Sequence, residues 1–239
     1  MFGVIFDLHV HTVKGGPDSN LSPEQLVQEA RRIGLDGICL TEHGGGWDKW
    51  DFQQFARKHA DLVLIPALEV DTEMGHIIAC GLEGYVSGIH RTETLRKVVE
   101  SAGGFMIAVH PFRRFFDKPP LFKSLLFKHP VSLDEAVRHR IFELTDAVEV
   151  VNGACTEKEN EFALRTAEIL GRPQVGGSDA HSHHGLGCGA TVFERPVRNL
   201  QDLIGELKAG RYYATNGLLN GHRKPFALGA GGENLRASA

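Results

Sequence analysis

Asp7-Leu8-His9-Val10-His11 follows directly on the apolar run Val4-Ile5-Phe6. In an extended strand, residues i and i+2 share a face, so His9 and His11 form a two-tooth chelate for a metal ion, with Asp7 on the same side. Further donors stand where other apolar runs stop: Glu42-His43 after 36–41, Glu69 after 62–68, His110-Pro111 after 105–109, Asn152 after 147–151 (which also holds Glu149), and Asp179-Ala180-His181 after 173–178. One histidine at a strand end is more often a hydrogen-bonded structural residue than a ligand. Six successive strand ends with such donors predict one shared site, because buried charges are costly unless paired or metal-bound. His and carboxylate donors without Cys suit Zn, Mn or Fe. The donors exceed what one tetrahedral ion needs, so two or three divalent metal ions are expected. Such clusters activate water for in-line displacement at phosphorus.

The elements that must position these donors alternate. Strand-like runs lie at 3–8, 36–41, 62–70, 76–81, 105–110, 147–151, 173–178 and 189–193. Ser22-Pro23-Glu24-Gln25 reads as a capped helix start, with Leu26, Val27, Ala30 and Ile33 on one stripe and Gly34 as the stop. Helices are also expected near 91–101, 132–144, 157–170 and 199–208. Repeated β-α-β order predicts a parallel sheet with right-handed crossovers. An open doubly wound sheet is the alternative to a barrel, and donors gathered at strand ends favour the barrel, whose C-terminal rim carries catalytic groups. The segment 111–131 breaks the rhythm with Phe112, Phe115, Phe116, Phe122 and Phe127 among Arg113, Arg114, Lys118 and Lys123. It reads either as a lid over the site or as an ordinary connection packing its aromatics.

The 239 residues suit one large α/β domain, and 42% hydrophobic with 23% charged content is ordinary for a soluble protein. A net charge of −4 disfavours nucleic acid as a dedicated partner without excluding it. Four widely spaced cysteines and the lack of a signal-like start or a long apolar run predict a reduced, cytoplasmic protein with no membrane segment. The sequence leaves the oligomeric state open.

Taken together, H-x-H after the first strand, [DE]-H after the second, an isolated Glu after the third, a later H-P and a final D-A-H resemble the PHP (polymerase and histidinol phosphatase) family. The resemblance runs from about Val4 to Asn216. Its last part, Cys188 to Tyr213, resembles the PHP-associated C-terminal segment, with Thr191-Val192-Phe193 and Leu207-Lys208-Ala209-Gly210. It implies a phosphoesterase domain over 1–216, of which 189–216 is that associated segment; the Gly- and Ala-rich stretch from Gly229 to Ala239 predicts that the remaining tail, 217–239, is partly flexible. The resemblance also implies an α/β fold, a distorted (β/α)7 TIM-like barrel with a trinuclear metal centre at the C-terminal rim, used mostly for phosphoester hydrolysis.

Carried over residue by residue, the resemblance implies a first metal site of His9, His11, Glu69 and Asp179, with Glu69 bridging to a second that includes His110. His76, in Gly75-His76-Ile77, is the further ligand of one branch of the family. The third site takes His43, His181 and Asp18 from Gly16-Pro17-Asp18-Ser19. The second motif departs from the usual T-D-H, reading Thr41-Glu42-His43, so Glu42 is expected to support ligands rather than bind metal, as are Glu149 and Asn152. Asp7 is expected to accept the second N–H of a ligand imidazole.

These residues predict a hydrolase of phosphoesters. A bridging hydroxide held by Glu69 and Asp179 attacks phosphorus, Arg113, Arg114 or Lys14 neutralises phosphate oxygens, and His183 is a candidate proton donor. The substrate is expected to be a small phosphomonoester or nucleotide. The alternatives are a metal-dependent amidohydrolase, which shares a barrel and a His-rich rim, and a metal-stabilised binding or regulatory domain without catalysis.

Overall fold

The computed structural model describes residues 3–116 and 131–228. Nine strands form one sheet: β1 (Val4–Val10), β2 (Gly37–Glu42), β3 (Val63–Thr72), β4 (Gly75–Cys80), β5 (Phe105–Ala108), β6 (Ala147–Asn152), β7 (Gln174–Gly177), β8 (Ala190–Phe193) and β9 (Tyr212–Thr215). Their order is β7-β6-β5-β4-β3-β2-β1-β8-β9. The helices are α1 (Pro23–Ile33), α2 (Lys49–Lys58), α3 (Thr92–Ser101), α4 (Leu133–Ala136), α5 (Ile141–Leu144), α6 (Glu157–Leu170) and α7 (Leu200–Ala209), followed by a short 3-10 turn at Leu218–Asn220.

The sheet curls into a nearly closed barrel. The first half of β1 pairs antiparallel with β8, through Val4–Phe193, Ile5–Val192 and Phe6–Thr191. Its second half meets the chain leaving β7: Asp179 N–H donates to the His9 carbonyl at 2.7 Å, and His11 N–H to the Ala180 carbonyl at 3.0 Å. One core cluster draws Phe6, Leu8, Cys39, Ile65, Ile78, Ile107 and Val175 from successive strands, together with Leu203 and Leu207 of α7. That is the inward-facing packing a barrel requires. Two further clusters lie beneath the helices, one against α1 and α2, the other against α3 and α6.

Local chemistry sets the helix ends. Ser22 accepts from Gln25 N–H while Gln25 reaches back to Ser22 N–H, both at 3.2 Å, with Pro23 in the first turn and Gly34 left-handed at φ 78°. Thr156 and Glu159 repeat this reciprocal cap on α6. Two elements escape the sequence pattern, α2 and β9. Asp48 caps α2 by accepting from Trp50 and Asp51 N–H at 2.9 and 3.0 Å.

The sheet departs from the all-parallel expectation. Four of its eight pairings are antiparallel: β1–β8, β3–β4, β4–β5 and β8–β9. Only Glu73 and Met74 separate β3 from β4, and two residues close a hairpin but cannot carry a parallel crossover. The helix expected over 132–144 is two short pieces broken at 137–140. In the segment after β5, Phe112 and Phe115 are buried, and Phe112 lies 4.7 Å from Phe162 of α6, so this part packs into the core. The expected lid falls otherwise on residues 117–130, outside the described residues.

Candidate metal centre

Donors from seven strands converge on one rim. β1, β2, β3, β5, β6 and β7 run toward it and deliver His9, His43, Glu69, His110, Glu149 and Asp179 from their C-terminal halves or just beyond their ends. β4 runs the other way, so His76 reaches the same rim from its N-terminal end, opposite Asp71.

Glu69 lies at the middle. It is 4% exposed, and both carboxylate oxygens are engaged. Oε2 lies 3.2 Å from His9 Nε2, 3.0 Å from His11 Nε2 and 3.3 Å from His43 Nε2. Oε1 lies 2.7 Å from His76 Nδ1 and 2.9 Å from His110 Nε2. Asp179 Oδ1 sits 3.5 and 3.4 Å from His9 and His11 Nε2. Two groups could each hold a cation, His9–His11–Glu69–Asp179 and Glu69–His76–His110, the donor atoms of each lying within 4.8 Å of one another. Asp18 Oδ2 lies between His43 Nε2 at 3.6 Å and His181 Nε2 at 3.4 Å, a looser third set.

These donors fit divalent cations. The Nε2 atoms of His9 and His11 are 3.1 Å apart. His9 Nδ1 lies 3.0 Å from Glu149 Oε1, so donating its proton there leaves the Nε2 lone pair aimed into the cluster. Burial alone would lower the His9 pKa, but Glu149 and Glu69 raise it to about 10. The field at this ring therefore favours positive charge, the condition that attracts a cation. Burial opposes charge on Glu69 as well, yet His9 and hydrogen bonds from His11, His110 and His76 hold it well below the usual carboxylate range. Burial pushes His110 down to about 4, leaving a neutral imidazole, the form that binds metal.

The supporting carboxylates divide the work differently from the sequence expectation for Asp7. Asp7 accepts from backbone N–H groups, Ser178 at 2.8 Å, Gly187 at 3.1 Å and His9 at 3.2 Å. It ties β1 to the chain after β7, and burial pushes it up to about 6. The bulge between Asp7 and Val10 redirects this stretch of β1. Glu149 takes the imidazole instead, and its Oε2 accepts from His110 N–H at 2.8 Å and Asn152 Nδ2 at 2.9 Å. Glu42 accepts from Trp47 Nε1 at 2.9 Å and from the N–H and hydroxyl of Thr12, holding the loop after β1 without facing the centre.

Two local features keep the donors close. Gly177 passes so near β1 that a Cβ there would lie 2.4 Å from His9 Cβ. His110 and Asp179 are left-handed, at φ 32° and 55°, a strain of the kind concentrated at functional sites.

The expected phosphate and proton-transfer residues separate. Arg113 reaches the centre, pairing with Asp179 Oδ2 and with Asn152 Oδ1 at 3.1 Å. Arg114 is exposed with φ 60°. Lys14 turns away toward α2, lying 3.9 Å from Asp51 and 5.5 Å from the Trp47 ring, because the Thr12–Gly15 turn points it outward. His183 is exposed beside Glu29 and Arg32 of α1, its ring tilted against His184 at 3.9 Å, and the fold does not bring it to the cluster. One residue escapes the strand-end pattern. Asp71 Oδ1 lies 3.1 Å from His76 Nε2 and 3.9 Å from His43 Nδ1. The period-two rule that pairs His9 with His11 also puts Asp71 on the face of Glu69.

Comparison with known proteins agrees with this fold. Solved structures share the fold. A two-domain protein from Bacteroides vulgatus, containing a predicted PHP-like metal-dependent phosphoesterase, matches with TM-score 0.62 and 21% identity, over 89% of this chain and 64% of that one. An amidohydrolase from Chromobacterium violaceum, with bound sulfate and no metal, matches with TM-score 0.57 and 15% identity, over 88% of this chain and 97% of that one. In sequence, an uncharacterized protein of Methanocaldococcus jannaschii is 29% identical over 160 residues, 61% of this chain and 80% of its own length. Residues 157–212 match the PHP-associated domain and residues 7–148 the PHP domain, and by that match the chain belongs to the PHP family.

Proposed function

We propose that the chain is a metal-dependent phosphoesterase acting on small phosphomonoesters or nucleotides, and that it holds two or three divalent cations. His9, His11, Glu69 and Asp179 hold the first, Glu69, His76 and His110 the second, and Asp18, His43 and His181 the third. The observation that carries this reading is Glu69, a buried carboxylate with one oxygen among His9, His11 and His43 and the other between His76 and His110. Cations bound there supply Lewis acidity at the phosphoryl oxygens and acidify water.

The chain's own groups do the rest. Asn152 donates to Glu149 and accepts from Arg113, so one amide fixes both the carboxylate behind His9 and the guanidinium beside Asp179. The guanidinium so held stands beside Asp179, where it can make a planar, two-point contact with a phosphoryl group. A guanidinium suits that planar, two-point contact better than an ammonium.

The test combines metal analysis of metal-replete protein with a panel of phosphomonoesters, phosphodiesters and amides, for the wild type and Asp179→Ala. The expected result is at least two metals per chain, release of phosphate without amide cleavage, and loss of about a hundredfold or more of activity in the variant. Fewer than two metals per chain, or full activity in a correctly folded Asp179→Ala, refutes the reading. Amide cleavage without phosphate release points to the amidohydrolase alternative.

A further inference from the structure

Beside the cluster opens a recess of about 250 Å³ whose walls include His43, Gly44, Gly45, Glu69, Asp71 and Tyr85. It shares Glu69 and His43 with the candidate metal centre, so a molecule in it touches the reacting groups. Gly44 and Gly45 are left-handed, at φ 67° and 113°, and they leave the wall free of side chains. A Cβ on Gly45 would stand 3.7 Å from that of Tyr85. Tyr85 is one of the few large apolar side chains left open to solvent, at 54% exposure. The Asp71 side chain is 71% exposed, although one of its oxygens lies beside His76.

The centre is electrically lopsided. Arg113 lies at the Asp179 end, and Asp71 lies across Glu69 at the His43–His76 end. A phosphoryl group is drawn to the guanidinium and repelled by the Asp71 carboxylate, whose Oδ1 faces His76, so the alcohol portion of a phosphoester falls toward Asp71. A carboxylate is an acceptor only, so the side of Asp71 open to the recess suits donors such as hydroxyl groups on that alcohol. An open tyrosine face at a recess of this size suits one ring rather than an extended polymer.

We propose that this recess is the leaving-group pocket and that Asp71 and Tyr85 select phosphomonoesters whose alcohol is a ring bearing hydroxyl groups. The inference rests on the phosphoesterase reading above and deepens it.

The experiment measures kcat/KM on the metal-replete enzyme for five esters. Adenosine 5′-monophosphate and glucose 6-phosphate carry a ring with hydroxyls. Cyclohexylmethyl phosphate has a ring alone, glycerol 3-phosphate has hydroxyls alone, and 4-nitrophenyl phosphate reports basal hydrolysis. The wild type is expected to favour a hydroxylated ring by about tenfold over each of the two partial mimics, the usual scale for a lost hydrogen bond to a charged group or a lost ring contact. The adenosine and glucose arms decide between a nucleoside and a sugar. Asp71→Asn should bring the ratio to cyclohexylmethyl phosphate to within about threefold, Tyr85→Ala should do the same for glycerol 3-phosphate, and Tyr85→Phe should keep the wild-type ratios. Because each readout is a ratio within one variant, a partly folded sample does not mimic the effect. Hydrolysis of 4-nitrophenyl phosphate with no wild-type preference, or with ratios unmoved by both substitutions, overturns the pocket and leaves the phosphoesterase reading intact. No hydrolysis of any ester overturns both.

Discussion

Replacing Glu149 by glutamine separates support of the metal centre from packing. The carboxylate accepts three hydrogen bonds, from His9 Nδ1 at 3.0 Å, His110 N–H at 2.8 Å and Asn152 Nδ2 at 2.9 Å. Glutamine has the same shape but one oxygen and one donor. If its oxygen faces His9, its NH2 meets two donors. If its NH2 faces His9, the imidazole must give up its Nδ1 proton, and the proton moves to Nε2, the atom aimed at Glu69. Either orientation loses at least one hydrogen bond to a charged group, about 1.5–3 kcal/mol, which matches the 10- to 100-fold cost typical of losing an outer partner of a ligand histidine. Glu149→Gln should therefore weaken metal binding about 10- to 100-fold. The assay is thermal unfolding across a buffered metal titration, since a cation that binds only the native state stabilises by RT ln(1 + [L]/Kd). Glu42→Gln is the matched control, another buried carboxylate with three donors but no imidazole among them. It should lower the unfolding temperature at every metal concentration and shift metal affinity by less than about threefold. If Glu149→Gln binds metal like the wild type, or if both substitutions weaken binding equally, the assignment of Glu149 to His9 is wrong.

Two further outcomes follow from packing and burial. Phe162→Ala removes the ring that meets Phe112 at 4.7 Å, Phe115 at 5.2 Å and Phe116 at 5.7 Å, and chemical denaturation should show a loss of about 3–5 kcal/mol; a loss under about 1 kcal/mol would mean the cluster is not packed as described. Burial pushes the Cys155 thiol up to about 12, with Arg113 only partly offsetting it. At pH 8 iodoacetamide should then label it about a thousandfold more slowly than an ordinary exposed thiol, and peptide mapping that finds rapid native-state labelling contradicts that burial.

Much of the site was legible because strand ends are marked twice, by an apolar run that stops and by a polar residue that cannot be buried alone. His9, His11, His43, Glu69, His110 and Asp179 all carry that double mark. Asp71 does not, because β3 runs past Glu69 to Thr72 and continues into a hairpin, so nothing marks an end there. The five residues between the strand-like runs 62–70 and 76–81 are too few for a crossover helix, but the surrounding strand–helix alternation outweighs that signal on a coarse reading. β9 is different in kind: its residues Tyr212–Thr215 gain strand identity only by pairing with β8, a long-range partner that no local pattern announces. Lys14 and His183 were placed near the rim by sequence proximity to ligands. The Thr12–Gly15 turn and the loop after His181 then point them outward, a direction that spacing alone does not encode.

The seam of the barrel sets a timetable for the ribosome. His9 and His11 lie on one lip, and Asp179 lies on the other, joined mainly by backbone hydrogen bonds at residues 9–11 and 179–180. The first two donors are synthesised about 170 residues before Asp179, at rates near 5–20 residues per second. A nascent chain spends many seconds with the H-x-H chelate exposed and incomplete. On the reading proposed above, the quartet is complete only once the chain just past β7 has emerged, and a cation held there would cross-link two parts of the protein made far apart in time.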